Sequence, residues 1–279
     1  MSGVLHSVST PVGNLDDITR RALAVLASVD AVAAEDTRHT ARLLDELGIQ
    51  KSLISYHDHN EQERTPQLID RLQRGDSLAL VSDAGTPLVS DPGYRLVRAC
   101  HQAGIRVVPV PGASALLAAL VVAGLPTDLF VFEGFLPSKG AGRTAALRRI
   151  ADSAATSVVY EAPHRILTLL DELKERLEAE REVVLCRELT KHFETVLPGR
   201  IGDIRERVAA DSNQQRGEIV LLVAPAPEQT VDDAELARLA RLLLGELPAS
   251  RAAKVLAAWS GRKRNDLYSW METLDQPDA

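Results

Sequence analysis

The sequence predicts an α/β protein: two α/β domains, residues 1–114 and 115–224, then a linker and a small helical module over 225–279. Three observations carry this expectation. Short apolar runs alternate with amphipathic helical patterns through the first half of the chain, the signature of a mostly parallel sheet with helices on both faces. Three of those runs end in sharp turns rich in Gly and Pro: Thr10-Pro11-Val12-Gly13-Asn14, Asp83-Ala84-Gly85-Thr86-Pro87 and Pro109-Val110-Pro111-Gly112-Ala113-Ser114. Beyond Ala224-Pro225-Ala226-Pro227, a stiff linker by composition, the pattern becomes purely helical.

The elements follow in order. Val4–Val8 reads as a strand, and a helix beginning near Asp16 or Asp17, whose carboxylates suit an N-cap, carries Ile18, Ala22, Leu23, Val25 and Leu26 at helical spacing. Next come Ala31–Ala34 (strand), Thr37 to Leu47 (helix, stopped by Gly48) and a short strand around Ile54. Glu61–Gln73 (helix), Leu78–Val81 (strand), Tyr94–Ala103 (helix) and Arg106–Val110 (strand) complete the first domain. The second has more antiparallel character. Its expected helices are Ala115–Ala123, Thr144–Ile150, Ile166–Arg176 and Ile201–Val208; its expected strands are Leu129–Glu133, Ser157–Tyr160, Val183–Cys186, Phe193–Leu197 and Glu218–Val223. In the last segment Glu235–Leu247 is a Leu-rich helix, Ser250 suits the cap of a second helix ended by Gly261, and Asn265 or Asp266 suits the cap of a third. Such a module is either a packed appendage or a helix-turn-helix-like binder of nucleic acid.

Turns at the carboxyl ends of parallel strands are where open α/β sheets bind ligands. Gly lets a ligand approach the backbone, and Pro stiffens the turn. Asp83 suits a hydroxyl or ammonium donor. The chain has no G-x-G-x-x-G and no G-x-x-x-x-G-K-[ST], which argues against a nicotinamide or triphosphate ligand and for one with less negative charge. Glu35-Asp36-Thr37-Arg38-His39 fits either a metal site or a helix cap, and Tyr56-His57-Asp58-His59-Asn60 either a substrate-facing or a solvated loop. Tyr160–Arg165 and Arg187–Lys191 mix acids with fixed positive charge, as a ribose or phosphate site, a general base or an ion-pair network would.

The net charge of −7 excludes a molecule-wide basic surface, although Lys139, Arg143, Arg148 and Arg149, and again Arg262, Lys263 and Arg264, form local basic patches. Cys100 and Cys186 are widely separated and read as reduced, structural thiols. The longest apolar run, around Leu116–Leu125, is about half of what a bilayer span needs. With no basic, apolar leader in the sequence, a cytoplasmic protein with no membrane partner is expected.

Taken together these blocks resemble the tetrapyrrole-methylase (class III) fold of S-adenosyl-L-methionine (SAM) dependent methyltransferases, and more narrowly the bacterial 16S ribosomal RNA (cytidine-2′-O)-methyltransferases. The resemblance is carried by Thr10–Thr19, Ala34–Thr40, Ser55–Asn60, Val81–Pro87, Ser90–Gly93, Pro111–Ser114, Phe132–Pro137, Tyr160–Arg165, Arg187–Lys191 and Gly217–Val220. Ala113 and Ala162 stand where relatives often carry Pro and Ser.

The resemblance implies a SAM cleft between the two α/β domains, a homodimer, and 2′-O-methylation of a decoding-centre cytidine in 16S ribosomal RNA within the small subunit. It places the SAM contacts at Pro11, Asp83, Ala84, Gly85, Thr86, Ser114, Ala115, Phe132, Glu133, Ala162, Gly217, Glu218 and Ile219. Residue chemistry nominates Glu188 and Lys191 for catalysis, with no metal, and Arg38, His57, His59, His164 and Arg165 for placing RNA. The rival readings are a tetrapyrrole or other small acceptor on the same fold, a non-catalytic RNA-binding module, and metal-dependent hydrolysis by Glu35, Asp36 and Asp91.

Overall fold

The computed structural model describes residues 2–227 and 233–274 and divides into two compact units, Met1–Ala226 and Pro227–Ala279. Five runs in the first 110 residues form β1 (Val4–Val8), β2 (Ala31–Ala34), β3 (Leu53–Ser55), β4 (Leu78–Val81) and β5 (Arg106–Val110). They make one parallel sheet of order β3-β2-β4-β1-β5. β2 and β4 are buried along their whole length, as continuous apolar strands covered on both faces must be.

On one face, α1 (Arg20–Ser28) and α2 (Thr37–Glu46) contribute Ala22, Leu26 and Leu44 to a core with Val32 and Val81. On the other, α3 (Glu61–Gln73) and α4 (Tyr94–Gln102) pack Leu68, Leu72, Leu96 and Cys100 against Leu5, Leu78 and Leu80. β1 and β4 are neighbours whose onward connections run in opposite directions along the sheet, which opens a crevice at their carboxyl ends. The three Gly/Pro turns therefore follow three adjacent strands, β4, β1 and β5.

The second sheet contains β6 (Phe130–Phe135), β7 (Thr156–Glu161), β8 (Glu182–Arg187), β9 (Thr195–Arg200) and β10 (Ile219–Val223), in the order β6-β7-β10-β8-β9. Only β6 and β7 are parallel, which matches the expected antiparallel character. α5 (Ala115–Val122) covers one face. α6 (Gly140–Asp152), α7 (Ile166–Lys174) and α8 (Ile201–Ala210) cover the other. The two sheets keep separate cores yet belong to a single compact unit.

The second unit is a three-helix module of α9 (Asp233–Glu246), α10 (Ala249–Ser260) and α11 (Arg264–Leu274) around Leu236, Ala240, Leu256, Leu267 and Met271. The expected linker from Ala224 runs into residues 228–232, which lie outside the described residues.

Several boundaries differ from expectation for local reasons. Asp16 and Asp17 lie in a 3-10 turn capped by Asn14, and Thr19 caps α1 by accepting from Ala22 N–H. Pro248 precedes α10 with no side-chain cap, so Ser250 is already helical. Asn265 and Asp266 lie inside α11. Gly261 ends α10 in the left-handed conformation, φ 70°. Cys100 and Cys186 are free and buried, and burial pushes their thiols up to about 11 and about 12.

Candidate active site

Backbone and side-chain hydrogen bonds stitch the three turns together. Thr10 and Gly85 exchange both backbone bonds, at 2.8 and 3.0 Å, and Ser9 N–H donates to Val110 O at 3.1 Å. Thr86 Oγ1 donates to Ala113 O at 3.0 Å, which leaves Ser9 Oγ to donate to Thr86 Oγ1 at 3.0 Å. One hydroxyl of the second turn thus links the third turn to Ser9, which leads into the first. Gly85 holds φ 79°, which a Cβ-bearing residue adopts only at a cost.

These turns form one wall of a cleft of about 410 Å³, inside the usual range for a small-ligand site. Val12, Asp83, Ala84, Gly85, Thr86, Ser90 and Asp91 face Phe135, Tyr160, Glu161, Ala162, Gly217, Glu218 and Ile219 from the second sheet, with Ser114 and Ala115 where the chain crosses between them. Of the residues expected to contact a cofactor, Asp83 to Thr86, Ser114, Ala115, Ala162 and Gly217 to Ile219 line this cleft. Pro11, Phe132 and Glu133 do not. Pro11 is next to the lining Val12, Phe132 packs on Tyr160 at 4.9 Å in the core, and Glu133 pairs with Arg149 at 2.6 Å.

Phe135 takes the lining position instead. The β6–β7 register slips between Phe132 and Gly134, and a bulge puts Phe132 and Phe135 on the same side of the strand, both against Tyr160. Alternation along the sequence gives no sign of this slip. Glu35, Ser90, Asp91, Tyr160 and Glu161 are further lining residues not assigned to the cofactor in advance. The strand-end motifs that contain them were the available signal.

The electrostatics of the cleft are one-sided. Glu35, Asp83, Asp91, Glu161 and Glu218 line it, and no Lys, Arg or His does among the described residues. Burial, then Asp91 and Asp83, raise the Glu35 carboxyl to about 7, and burial raises Asp91 to about 6. Glu161 has a side chain 0% exposed and is held by Arg165 at 3.1 Å and Arg143 at 3.7 Å, while its Oε2 lacks a hydrogen-bond partner. Such a cleft favours a cationic ligand and repels phosphate.

Glu188 and Lys191 meet at the cleft rim. Lys191 Nζ lies 3.0 Å from Glu188 Oε1 and 3.2 Å from Glu218 Oε2, and Glu218 N–H donates to Glu188 Oε1 at 2.9 Å. Burial works against the charge on Glu188, but the Glu218 N–H and Lys191 outweigh it and hold the carboxyl below its ordinary range. Lys191 is likewise kept charged, its two carboxylate partners overcoming burial.

The residues expected to place RNA are not all available for it. Arg165 is occupied by Glu161 and by the carbonyls of Leu136 and Pro137, so it braces the loop after β7. Arg143 is buried between Glu172 and Glu161 and does not belong to a surface patch. Arg38 is 86% exposed and pairs with Asp36. His164 is exposed, and His57 and His59 stack edge to face at 5.9 Å. Asp36 caps α2 and binds Arg38, and no three His, Cys, Asp or Glu side chains converge as a metal site among the described residues.

Residues 4–205 match the tetrapyrrole (corrin/porphyrin) methylases, the class that the paired sheets and cleft also define. Residues 230–275 match the RsmI C-terminal HTH domain. The chain belongs, within that class, to the family of ribosomal RNA small subunit methyltransferase I. It is 51% identical over 271 residues to the protein of that name from Pseudomonas aeruginosa, covering 96% of each chain. It is 49% identical over 269 residues to the one from Escherichia coli O157:H7, covering 96% of this chain and 94% of that one. Among solved structures it is similar to uroporphyrin-III-C-methyltransferase from Thermus thermophilus, with TM-score 0.55, 24% identity and 80% and 94% coverage. It is also similar to diphthine synthase, with TM-score 0.62, 15% identity and 80% and 90% coverage; both likenesses concern the fold alone.

Proposed function

We propose that this protein is a SAM-dependent methyltransferase of small-subunit ribosomal RNA, and that it transfers a methyl group to the ribose 2′-oxygen of a decoding-centre cytidine in 16S rRNA. The observation that carries this reading is a cleft lined by five carboxylates and no cation, in a chain about half identical along its length to proteins named ribosomal RNA small subunit methyltransferase I. A cleft without cations, with bare backbone at Gly85, fits a sulfonium nucleoside that carries no phosphate.

When bound, SAM supplies an activated methyl group. The chain's own residues then have three tasks. The Asp83–Thr86 turn, Ser114, Ala115, Ala162 and Gly217–Ile219 hold the donor; Pro11 stiffens the first turn, Phe132 backs the lining Tyr160, and Glu133 ties β6 to α6 through Arg149. Lys191, kept cationic, stabilises negative charge developing on the ribose oxygen. Glu188, a weakened base in this setting, orients Lys191. Arg38, His59 and His164 remain candidates for RNA contact on the surface, whereas the half-buried His57 is bonded through Nε2 to Asn60 and orders its own loop; Arg165 positions the loop beside the cleft.

The working form is a cytoplasmic homodimer. α5 exposes Leu117, Val121 and Val122, and the outer strand β6 exposes Phe130 and Val131. An exposed apolar helix face and an open sheet edge are surfaces suited to a second copy.

The decisive experiment is methylation of small ribosomal subunits from a strain lacking this protein, with the RNA product mapped by mass. One added methyl on a single cytidine ribose is the expected result; a methylated base, or no RNA product, refutes the assignment.

A further inference from the structure

The loop 188–194 between β8 and β9 presents an aromatic surface outside the cleft. Phe193 is 67% exposed, more than any other large aromatic side chain among the described residues, and the His192 ring meets it edge to face at 4.8 Å. The loop is nonetheless firmly held. The nearly buried Arg187 donates to Phe193 O at 2.9 Å and to Thr195 Oγ1 at 3.2 Å. Thr190 N–H donates to Glu194 Oε2 at 2.7 Å, and Glu194 N–H to Lys191 O at 3.1 Å. Glu188 and Thr190 have φ of 52° and 67°, a conformation that non-glycine residues keep only when their surroundings enforce it. Lys191, two residues before Phe193, fastens the loop to the cleft wall through Glu218.

A rigidly mounted ring, left in water beside a catalytic cleft, has no packing role in the fold. Its chemistry suits a flat π-surface. Proteins that act on single nucleotides unstack the base and hold it against aromatic side chains. The neighbouring Arg216 is exposed and adds positive charge on the side of the rim where Gly217 meets Glu188. We propose that Phe193, edged by His192, is the platform on which the base of the acceptor nucleotide stacks while its ribose enters the cleft. This inference rests on the ribosomal RNA reading above. It makes Phe193 a substrate-positioning residue, separate from the donor site and from the Glu188–Lys191 pair. A stacked base needs no side-chain hydrogen bond from the platform, so the ring sets position more than base identity.

The test uses the full chain and small ribosomal subunits, with their RNA, from a strain lacking the protein. Phe193→Leu keeps bulk and hydrophobicity and loses the π-face; Phe193→Trp keeps the π-face. The expected result is that Phe193→Leu raises KM for RNA about tenfold or more, within the range of one lost base–aromatic stack. SAM binding by calorimetry stays unchanged, and Phe193→Trp stays close to wild type. A Phe193→Leu variant with wild-type KM overturns the platform, as does a Phe193→Trp variant no better than Leu. A wild-type protein that binds SAM and leaves this RNA unmethylated overturns the function reading and the platform with it. Wild-type methylation with an unaffected Phe193→Leu overturns the platform alone.

Discussion

The aliphatic chain of Lys191 lies over Gly13, so closely that a Cβ at Gly13 would meet Lys191 Cε at 2.9 Å and collide with Cγ. The first turn of the chain and the β8–β9 loop are therefore fitted to one another at this point. Gly13→Ala is expected to push the ammonium away from Glu188 and Glu218. Turnover should fall about 10²-fold, the order associated with a misplacement of about 1 Å, with SAM affinity within about twofold. Steady-state kinetics with calorimetry checks this; unchanged turnover means that the lysine position is not critical.

Removing the side chains themselves should act on the same step. Lys191→Ala is expected to lower kcat about 10²–10³-fold, as for loss of one donor to a developing oxyanion, and Glu188→Ala by a smaller factor. In both variants the dissociation constant for SAM should change far less than kcat. Wild-type turnover in both removes the pair from the mechanism.

The carboxyl of Glu35 gives a pH signature. Its pKa rises to about 7 on folding from an ordinary 4.5, and Asp91 rises to about 6 from 3.8. Between these limits the folded state holds more protons than the unfolded one, so stability falls as pH rises through the window from about 4 to about 7. Glu35→Gln should therefore be more stable than wild type at pH 8, by about 1 kcal/mol once solvent screening of a partly exposed group is allowed for, and should lose that advantage at pH 4. Urea melts at the two pH values decide it. A cation in the cleft pulls Glu35 back towards ionisation, so SAM binding near pH 7 should release protons, which calorimetry in buffers of different ionisation enthalpy detects.

Arg143 is a structural charge. Its side chain is 5% exposed, between Glu172 at 2.5 Å and the wholly buried Glu161 at 3.7 Å. Arg143→Ala leaves two carboxylates short of their partner and is expected to cost about 3–5 kcal/mol in a chemical melt. A loss under 1 kcal/mol would show that solvent reaches the site.

Val121, 78% exposed on an apolar helix, tests the dimer. Val121→Glu should shift sedimentation towards the monomer without lowering the melting temperature of the isolated chain. A dimer that survives the change lies elsewhere on the surface.

Much of this architecture was legible from the residues alone. Strand runs such as Leu78–Val81 and Arg106–Val110 fall where the structure has them because a short apolar run closed by Gly or Pro has few alternatives. Asp83 to Thr86 were legible as a lining because a turn after a parallel strand faces the ligand side. Phe135 was not, because a bulge resets the alternation of β6 and periodicity does not register an inserted residue. Arg143 was read as part of a basic patch and Arg165 as a contact to RNA because their partners, Glu172, Glu161 and the carbonyls near Leu136, are brought together only by tertiary packing. The contact of Gly13 with Lys191 joins opposite ends of the α/β unit and leaves no local trace.

The order of strands in the second sheet bears on how the protein is made. β10, the last strand to emerge during synthesis, is inserted between β7 and β8, and Val220 on it shares the cleft with Val12 near the start of the chain. A nascent polypeptide that stops short of Ile219 lacks the central member of that sheet, and no amino-terminal fragment that ends there contains a whole donor pocket. The donor therefore reinforces only chains that have been translated through β10, which couples ligand stabilisation to completion of the α/β unit.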